Sequence, residues 1–305
     1  MLNGITLKQL RSLKAVADTG SITDAAALQS LSPPAVHNQI KKLEEFTGTA
    51  MLVRGGREEG LVTTDHGAVL VRAMERIEGV LASACDNLEA LGAGHAGHVT
   101  LGFETTGRYF APKLIALLQE ACPGIRLSFQ VANRTAVVND LFADRIDLAI
   151  MGRPPRGPSA QATPIGPHPY GLYAASDHVL AQHPDYDPAE LVRQNVLARE
   201  PGSGTRIILE RYLSQIDTYG TPDLVEFDSN ETIKEAVIAG LGVAMLSTHV
   251  VQREVEAGIL RRIDWPGLPV MRYWYLVQRL DTHAEESTAR VSQAISDLSG
   301  AFLPN

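Results

Sequence analysis

The sequence predicts an α/β protein in three parts: a compact helical head closed by a β-hairpin, one long helix, and a two-lobed α/β domain. Three observations predict it. Residues 19–43 hold two short helix patterns separated by a turn, the second opening on Ser32-Pro33-Pro34. The run that follows, from Thr64 to about Leu91, lacks proline and repeats apolar residues at spacings of four and three. Beyond Gly97, strand and helix signals alternate to the end of the chain.

The head is read from its second helix. Ser32 can cap the free amides of a new helix, and Pro33 and Pro34 fall in the first turn, where a missing N–H costs little. Val36, Ile40 and Leu43 then share one buried face, which leaves Pro34, Asn38, Lys41 and Glu45 opposite and His37 and Lys42 on the flanks. The preceding helix, about 23–29, is small and apolar through Ala25-Ala26-Ala27-Leu28, which permits close packing on its neighbour. Such a pair also occurs in proteins that never touch nucleic acid. Here two strand signals follow, Met51-Leu52-Val53-Arg54 and Leu61-Val62-Thr63, with a charged turn between them. Together these make a winged helix-turn-helix, with Ser32, Pro33, Pro34, His37, Asn38, Lys41 and Lys42 toward a DNA groove and Arg54 and Arg57 on phosphate.

Charge agrees only mildly. Residues 1–63 hold seven Lys plus Arg against six Asp plus Glu, whereas the remainder holds twenty against twenty-nine. A single head so weakly basic binds a polyanion poorly, so useful affinity requires two or more copies on one duplex. The long helix supplies a seam for pairing them: Leu70, Met74, Ile77, Leu81, Ala84, Leu88 and Leu91, on a rod of about 42 Å. The alternative is a helix packed on its own domain. Gly92, Gly94 and Gly97 then break the helix. The expected parts are 1–63, 64–93 and 97–305, with lobe I about 97–165 and 268–305 and lobe II about 166–267.

In the large domain, strand signals at 98–104, 125–131, 147–151, 170–175, 196–199, 224–227, 243–246 and 273–278 alternate with helices from about 108, 136, 203, 231 and 284. Continuous apolar runs such as Leu148-Ala149-Ile150-Met151 imply parallel strands covered on both faces. Two lobes joined by crossing strands create a cleft, and polar residues gather at the strand and helix ends that face it. These are Thr105 and Thr106, Asn133, Arg134 and Thr135, Arg153 with Arg156, and Asn230 with Thr232. The sharpest run is Arg199-Glu200-Pro201-Gly202-Ser203-Gly204-Thr205-Arg206, which sets Ser203, Gly204 and Thr205 at a helix amino terminus between two arginines. That combination suits an anion. Each arginine taken singly is also a ready partner for a surface carboxylate.

Other classes fit less well. A transport-type solute-binding protein shares the two-lobed plan but needs an export signal and has no use for the first 91 residues. An enzyme would need a nucleophile with its base or ligands in register, and there is no HExxH and no GxSxG around Ser203. Cys85 and Cys122 have no CxxC partner, so neither a metal site nor a redox switch is expected, and no cofactor. No stretch approaches 18 uninterrupted apolar residues, so no membrane segment is expected and the cytoplasm is the default.

The order of parts resembles the LysR-type transcriptional regulators across essentially the whole chain. Leu7 with Leu10, Ala25-Ala26, Pro34-Ala35-Val36, Gln39-Ile40, Leu43-Glu44, Arg54, and Thr64 with Gly67 look like that family's amino-terminal signature. Asn133-Arg134 through Val137-Val138, Leu141 to Pro155, and Arg199 through Arg206 look like the branch that includes regulators of Calvin-cycle (RuBisCO) operons. The resemblance implies a type 2 periplasmic-binding-protein-like effector domain, a homodimer assembling further to a homotetramer, and imperfectly palindromic promoter DNA. It also implies RNA polymerase as a partner and a phosphorylated metabolite or nucleotide as effector. Pro33 stands where the family usually has Gln, His37 where it has Ser, and Leu52 where it has Phe, so an operator sequence is not carried over.

Overall fold

The computed structural model describes residues 4–56, 60–155, 159–182, 188–216, 220–280 and 285–304. The chain forms two compact units that divide between Asn87 and Leu88, with 142–145 grouped with the first.

The first unit opens with α1 (Leu7–Thr19), started by a reciprocal cap in which Thr6 accepts from the Gln9 amide and Gln9 accepts from the Thr6 amide. Helix α2 (Ile22–Leu28) starts at Ser21, whose hydroxyl accepts from the Asp24 amide. Helix α3 (Pro33–Thr47) begins at Ser32 with the two prolines in its first turn. Ser32 holds the extended backbone of a cap, yet its hydroxyl makes no capping bond. The sharp start therefore comes from the fixed φ of two prolines, a correction to the expected serine cap. Ala25 and Ala26 are buried with Val16, Val36 and Ile40, the small side chains that let the helices close. Strands β1 (Leu52–Arg54) and β2 (Leu61–Thr63) pair antiparallel as the wing.

Helix α4 (Asp65–Gly92) is capped by Thr64, whose hydroxyl accepts from the Gly67 amide at 3.0 Å. It revises the expected seam. Met74 is fully buried in the head's own core beside Leu10, Leu13, Leu43 and Met51, with Leu70 and Ile77 packed against the same cluster. Leu70, Met74 and Ile77 are thus head residues, because α1 and α3 present an apolar face that would otherwise meet water. Leu81, Ala84, Leu88 and Leu91 lie exposed.

The second unit starts with β3 (Gly97–Glu104), a 3-10 turn (Thr105–Tyr109), α5 (Ala111–Ala121), β4 (Ile125–Ala132), α6 (Arg134–Phe142) and β5 (Leu148–Met151). Strand β3 runs parallel to both β4 and β5. Then come β6 (Ala160–Ala175), α7 (Val179–Gln182), α8 (Pro188–Val192), β7 (Asn195–Arg199), α9 (Gly204–Leu213), β8 (Asp223–Phe227), α10 (Asn230–Ile238) and β9 (Val243–Ser247). Helix α11 (Thr248–Glu256), β10 (Leu260–Ile263), β11 (Val270–Arg279) and α12 (Glu286–Asp297) complete it.

The strand order is β4-β3-β5-β11-β6-β9-β7-β8, with β10 on β6. The expected parallel sheets hold within each lobe, but β6 and β11 run antiparallel over their lengths and carry the sheet from one lobe to the other. Residues 160–169 precede the strand expected over 170–175, and Pro164, Pro167 and Pro169 remove amide donors there. They join the ladder because β6 bonds there to β11 alone, so the side without amide donors faces no second strand. Lobe I buries Phe103, Phe110, Leu114 and Trp274 among its largest core groups, and lobe II buries Tyr170, Leu209, Met245 and Trp265.

Met74→Ala should cost the head about 2–5 kcal/mol. The exposed Leu88→Ala should stay within about 0.5 kcal/mol at concentrations where the chain is single. Chemical denaturation of both variants checks the division of α4, and equal losses would contradict it.

Candidate functional site

The first unit presents one coherent outer face. Ser32, Pro33, Pro34, His37, Asn38, Lys41 and Lys42 are all exposed, while Val36, Ile40 and Leu43 on the opposite side of α3 are buried. Lys41 rests 3.7 Å from Glu45 one turn later, an exposed pair weak enough to yield to a phosphate. Arg54 is exposed at the end of β1; Arg57 lies outside the described residues. A helix starting abruptly on two prolines and carrying donors at His37, Asn38, Lys41 and Lys42 has the size and chemistry to enter a major groove.

On α4 an apolar strip is open to solvent. Leu88 is 69% and Leu91 57% exposed, joined by Val80 and Leu81. Their spacings of seven, three and one put them along one side of the rod.

In the second unit the strand ends bring a subset of the expected cleft residues together. Asn230, buried at the start of α10, donates through Nδ2 to Thr106 Oγ1 at 3.4 Å and stands 3.5 Å from Thr205 Oγ1. Thr106 belongs to lobe I and Thr205 and Asn230 to lobe II, so this short chain of hydroxyls and amide joins the lobes. Thr205 also bonds the hydroxyl of Tyr170, which burial pushes up beyond the ordinary phenol range.

Other expected residues have structural employment. Thr105 donates to the Ala132 carbonyl at 3.3 Å, and Asn133 caps α6 through the Ala136 amide at 2.9 Å. Thr135 and Thr232 are exposed, the latter bonded to Ser229. Ser203 opens α9 without a side-chain cap, and Gly204 is exposed. Arg134 donates to the Arg153 and Pro154 carbonyls, and Arg153 is exposed. Arg156 is outside the described residues.

The two arginines flanking the glycine run are occupied: Arg199 grips Glu200 at 2.6 and 2.8 Å, and Arg206 holds Glu210 at 2.6 Å. The ion-pair alternative therefore describes this structure for both. An incoming anion would have to exchange for those carboxylates.

Residues absent from the sequence reading complete the site. Glu104, the last residue of β3, accepts from the Gly152 amide at 2.9 Å and from the Arg153 amide, with the Arg134 and Arg153 guanidiniums nearby. Burial nevertheless holds its carboxyl above the usual carboxylate range. The strand-end rule that selected Thr105 and Thr106 applies equally to Glu104, the last residue of β3.

His168 stacks on Trp274 at 4.0 Å and on His249 at 5.4 Å, and its Nε2 meets Ser247 Oγ at 3.0 Å. The Trp274 indole donates into His249 Nδ1 at 3.2 Å, which requires that nitrogen to be bare. Burial lowers His168 well below its ordinary value and lowers His249 to about 4. Among the described residues no group of three or more His, Cys, Asp or Glu could hold a metal, and no helix is long and apolar enough to cross a membrane.

Residues 7–68 match the model of the bacterial regulatory helix-turn-helix proteins of the lysR family, and residues 92–298 match the LysR substrate binding domain. The chain is 45% identical to the HTH-type transcriptional regulator CbbR of Cereibacter sphaeroides over 99% of its own length and 98% of that protein. It is 35% identical to the RuBisCO operon transcriptional regulator of Allochromatium vinosum, covering 90% of each. Among solved structures it resembles the Synechocystis PCC6803 CcmR regulatory domain in complex with 2-PG, with 27% identity and TM-score 0.60. That likeness covers 66% of this chain and 97% of the other.

The imidazole stack carries a pH signature. Between about pH 6.5 and about 4 the unfolded chain protonates His249 while the fold keeps it neutral. The unfolded state then binds more protons, so stability falls as the pH drops through that window. Thermal melts from pH 7 to 4.5 should show the decline, and His249→Gln should make it shallower, with His168 supplying the remainder; equal slopes would remove His249 as a cause.

Proposed function

The chain belongs to the LysR family of transcriptional regulators, and on that footing we propose that it reads promoter DNA through paired heads and answers to a small phosphorylated anion between its lobes. It is a DNA-binding transcriptional regulator rather than an enzyme. The observation that carries the DNA reading is α3 itself, with its apolar residues inward and His37, Asn38, Lys41 and Lys42 outward.

In this reading His37 and Asn38 meet base edges, Lys41 and Lys42 meet phosphate, and Arg54 holds the backbone beside the wing. The exposed strip of Leu81, Ala84, Leu88 and Leu91, with Val80, meets a second copy. Dimers then assemble into tetramers on imperfectly palindromic sites, in the cytoplasm, where RNA polymerase is recruited or blocked. The effector reading draws on the Synechocystis domain, whose ligand is 2-phosphoglycolate. It also draws on the donors gathered in this cleft: Thr106, Thr205, Asn230 and, once released from their glutamates, Arg199 and Arg206. A ligand favouring one arrangement of the lobes shifts the population toward it, and only that difference in affinity does work. The likeness to RuBisCO operon regulators supports carbon-fixation genes as the targets.

A gel shift with the DNA upstream of this chain's own gene tests the reading. Wild type should retard it at low salt; no retarded band would sink the proposal. Asn38→Ala should lose about 1–3 kcal/mol of discrimination at one base position. Arg54→Ala should weaken binding to all sequences and lower the salt slope by about one.

A further inference from the structure

At the Glu104 end of the cleft, backbone amides and guanidiniums already gather on a carboxylate of the protein itself. The amides of Gly152 and Arg153 donate to Glu104, and the guanidiniums of Arg134, from α6, and Arg153, after β5, lie in its field. From β6, Tyr170 faces the same carboxyl and is itself near Arg199 and Arg272. His168, also on β6, packs against Gly152 so closely that a Cβ there would lie 2.9 Å from His168 Nδ1 and 3.8 Å from Glu104 Oε2. Glu104 thus occupies the position an external anion would seek, as a resident carboxylate.

We propose that Glu104 makes effector binding proton-coupled: an anion enters this end of the cleft together with one proton from solvent, held between its own oxygen and the Glu104 carboxyl. This rests on the proposed binding of an anion between the lobes. Two full negative charges at about 5 Å in a partly dry cleft would cost roughly two orders of magnitude in affinity. One shared proton removes that cost and turns repulsion into a charge-assisted hydrogen bond. Burial, which already holds the Glu104 carboxyl above the usual carboxylate range, favours the protonated partner. The cleft then prefers acids that retain or accept a proton near neutrality, phosphate monoesters first among them, since their second ionisation falls near pH 6.

Calorimetry with 2-phosphoglycolate on the full chain decides it. Between pH 7.5 and 8.5, where the free ligand has shed its second proton, wild-type affinity should fall about tenfold. Titration in two buffers of different ionisation enthalpy should count close to one proton taken up. Glu104→Gln should bind with no pH slope, and at pH 8.5 at least tenfold more tightly than wild type. A wild type with no slope and no proton uptake overturns the proposal, and so does a slope that persists in Glu104→Gln, because the proton then resides elsewhere. The wild-type proton count needs no variant, so a count of zero is decisive even if the glutamine chain misfolds. Absence of binding to wild type at any pH would instead remove the anion reading itself, and this proposal with it.

Discussion

The large domain depends on one antiparallel ladder, the ten register pairs between β11 and β6 from Val270 with Tyr170 to Arg279 with Ala160. Among the described residues no other pair of strands is so long, and only these two continue from the lobe I sheet into that of lobe II. The ladder slips register between Trp274 and Tyr275, beside Gly166 with its φ of 157°, and there the flat stack of His168, Trp274 and His249 sits. A bulge bends a strand and increases its twist. The place where one lobe passes into the other is therefore also where imidazoles and indole are pressed together, and the Trp274 bond requires a bare nitrogen on His249.

The polar groups of the cleft take their positions from that crossing. Strand β3 ends at Glu104, β5 at Met151, just before Gly152, and β7 at Arg199, while α10 begins at Asn230. Groups far apart in the chain converge because parallel strands end on the same edge of each sheet. Almost all of their donors are satisfied internally, by Glu104, Glu200, Glu210 and the hydroxyl chain. Ligand recognition as proposed at these residues would be an exchange of partners, its strength the difference between internal and external bonds.

Much of this was legible in the residues, for identifiable reasons. Helix α3 could be read because two prolines, an apolar four-three pattern and exposed polar residues all point one way. The strands of apolar character, such as 148–151, were equally plain. Only the second part of β6, 170–175, was expected; the three prolines ahead of it weaken a strand signal, and an edge paired on one side alone accommodates them. Helix α4 misled differently: a heptad pattern says that a face is apolar and is silent about which neighbour covers it. The Arg206 to Glu210 spacing of one helical turn was readable as an ion pair from the start. Glu104 carried the same strand-end signal as Thr105 and Thr106 but gained its meaning only from the amides that meet it, and His168 had no signal because its importance lies in what surrounds it.

The joint between head and rod has a mechanical meaning. Gly67, in the first turn of α4, lies so near the β1 approach that a Cβ would stand 2.1 Å from the Met51 carbonyl oxygen, and Met74 plugs the core two turns on. There is no swivel there: α3 and the first half of α4 form a single rigid lever. The pitch of α3 is consequently fixed to the first half of its own rod, so in the proposed pairing the separation and tilt of two heads would follow from the angle at which their rods cross.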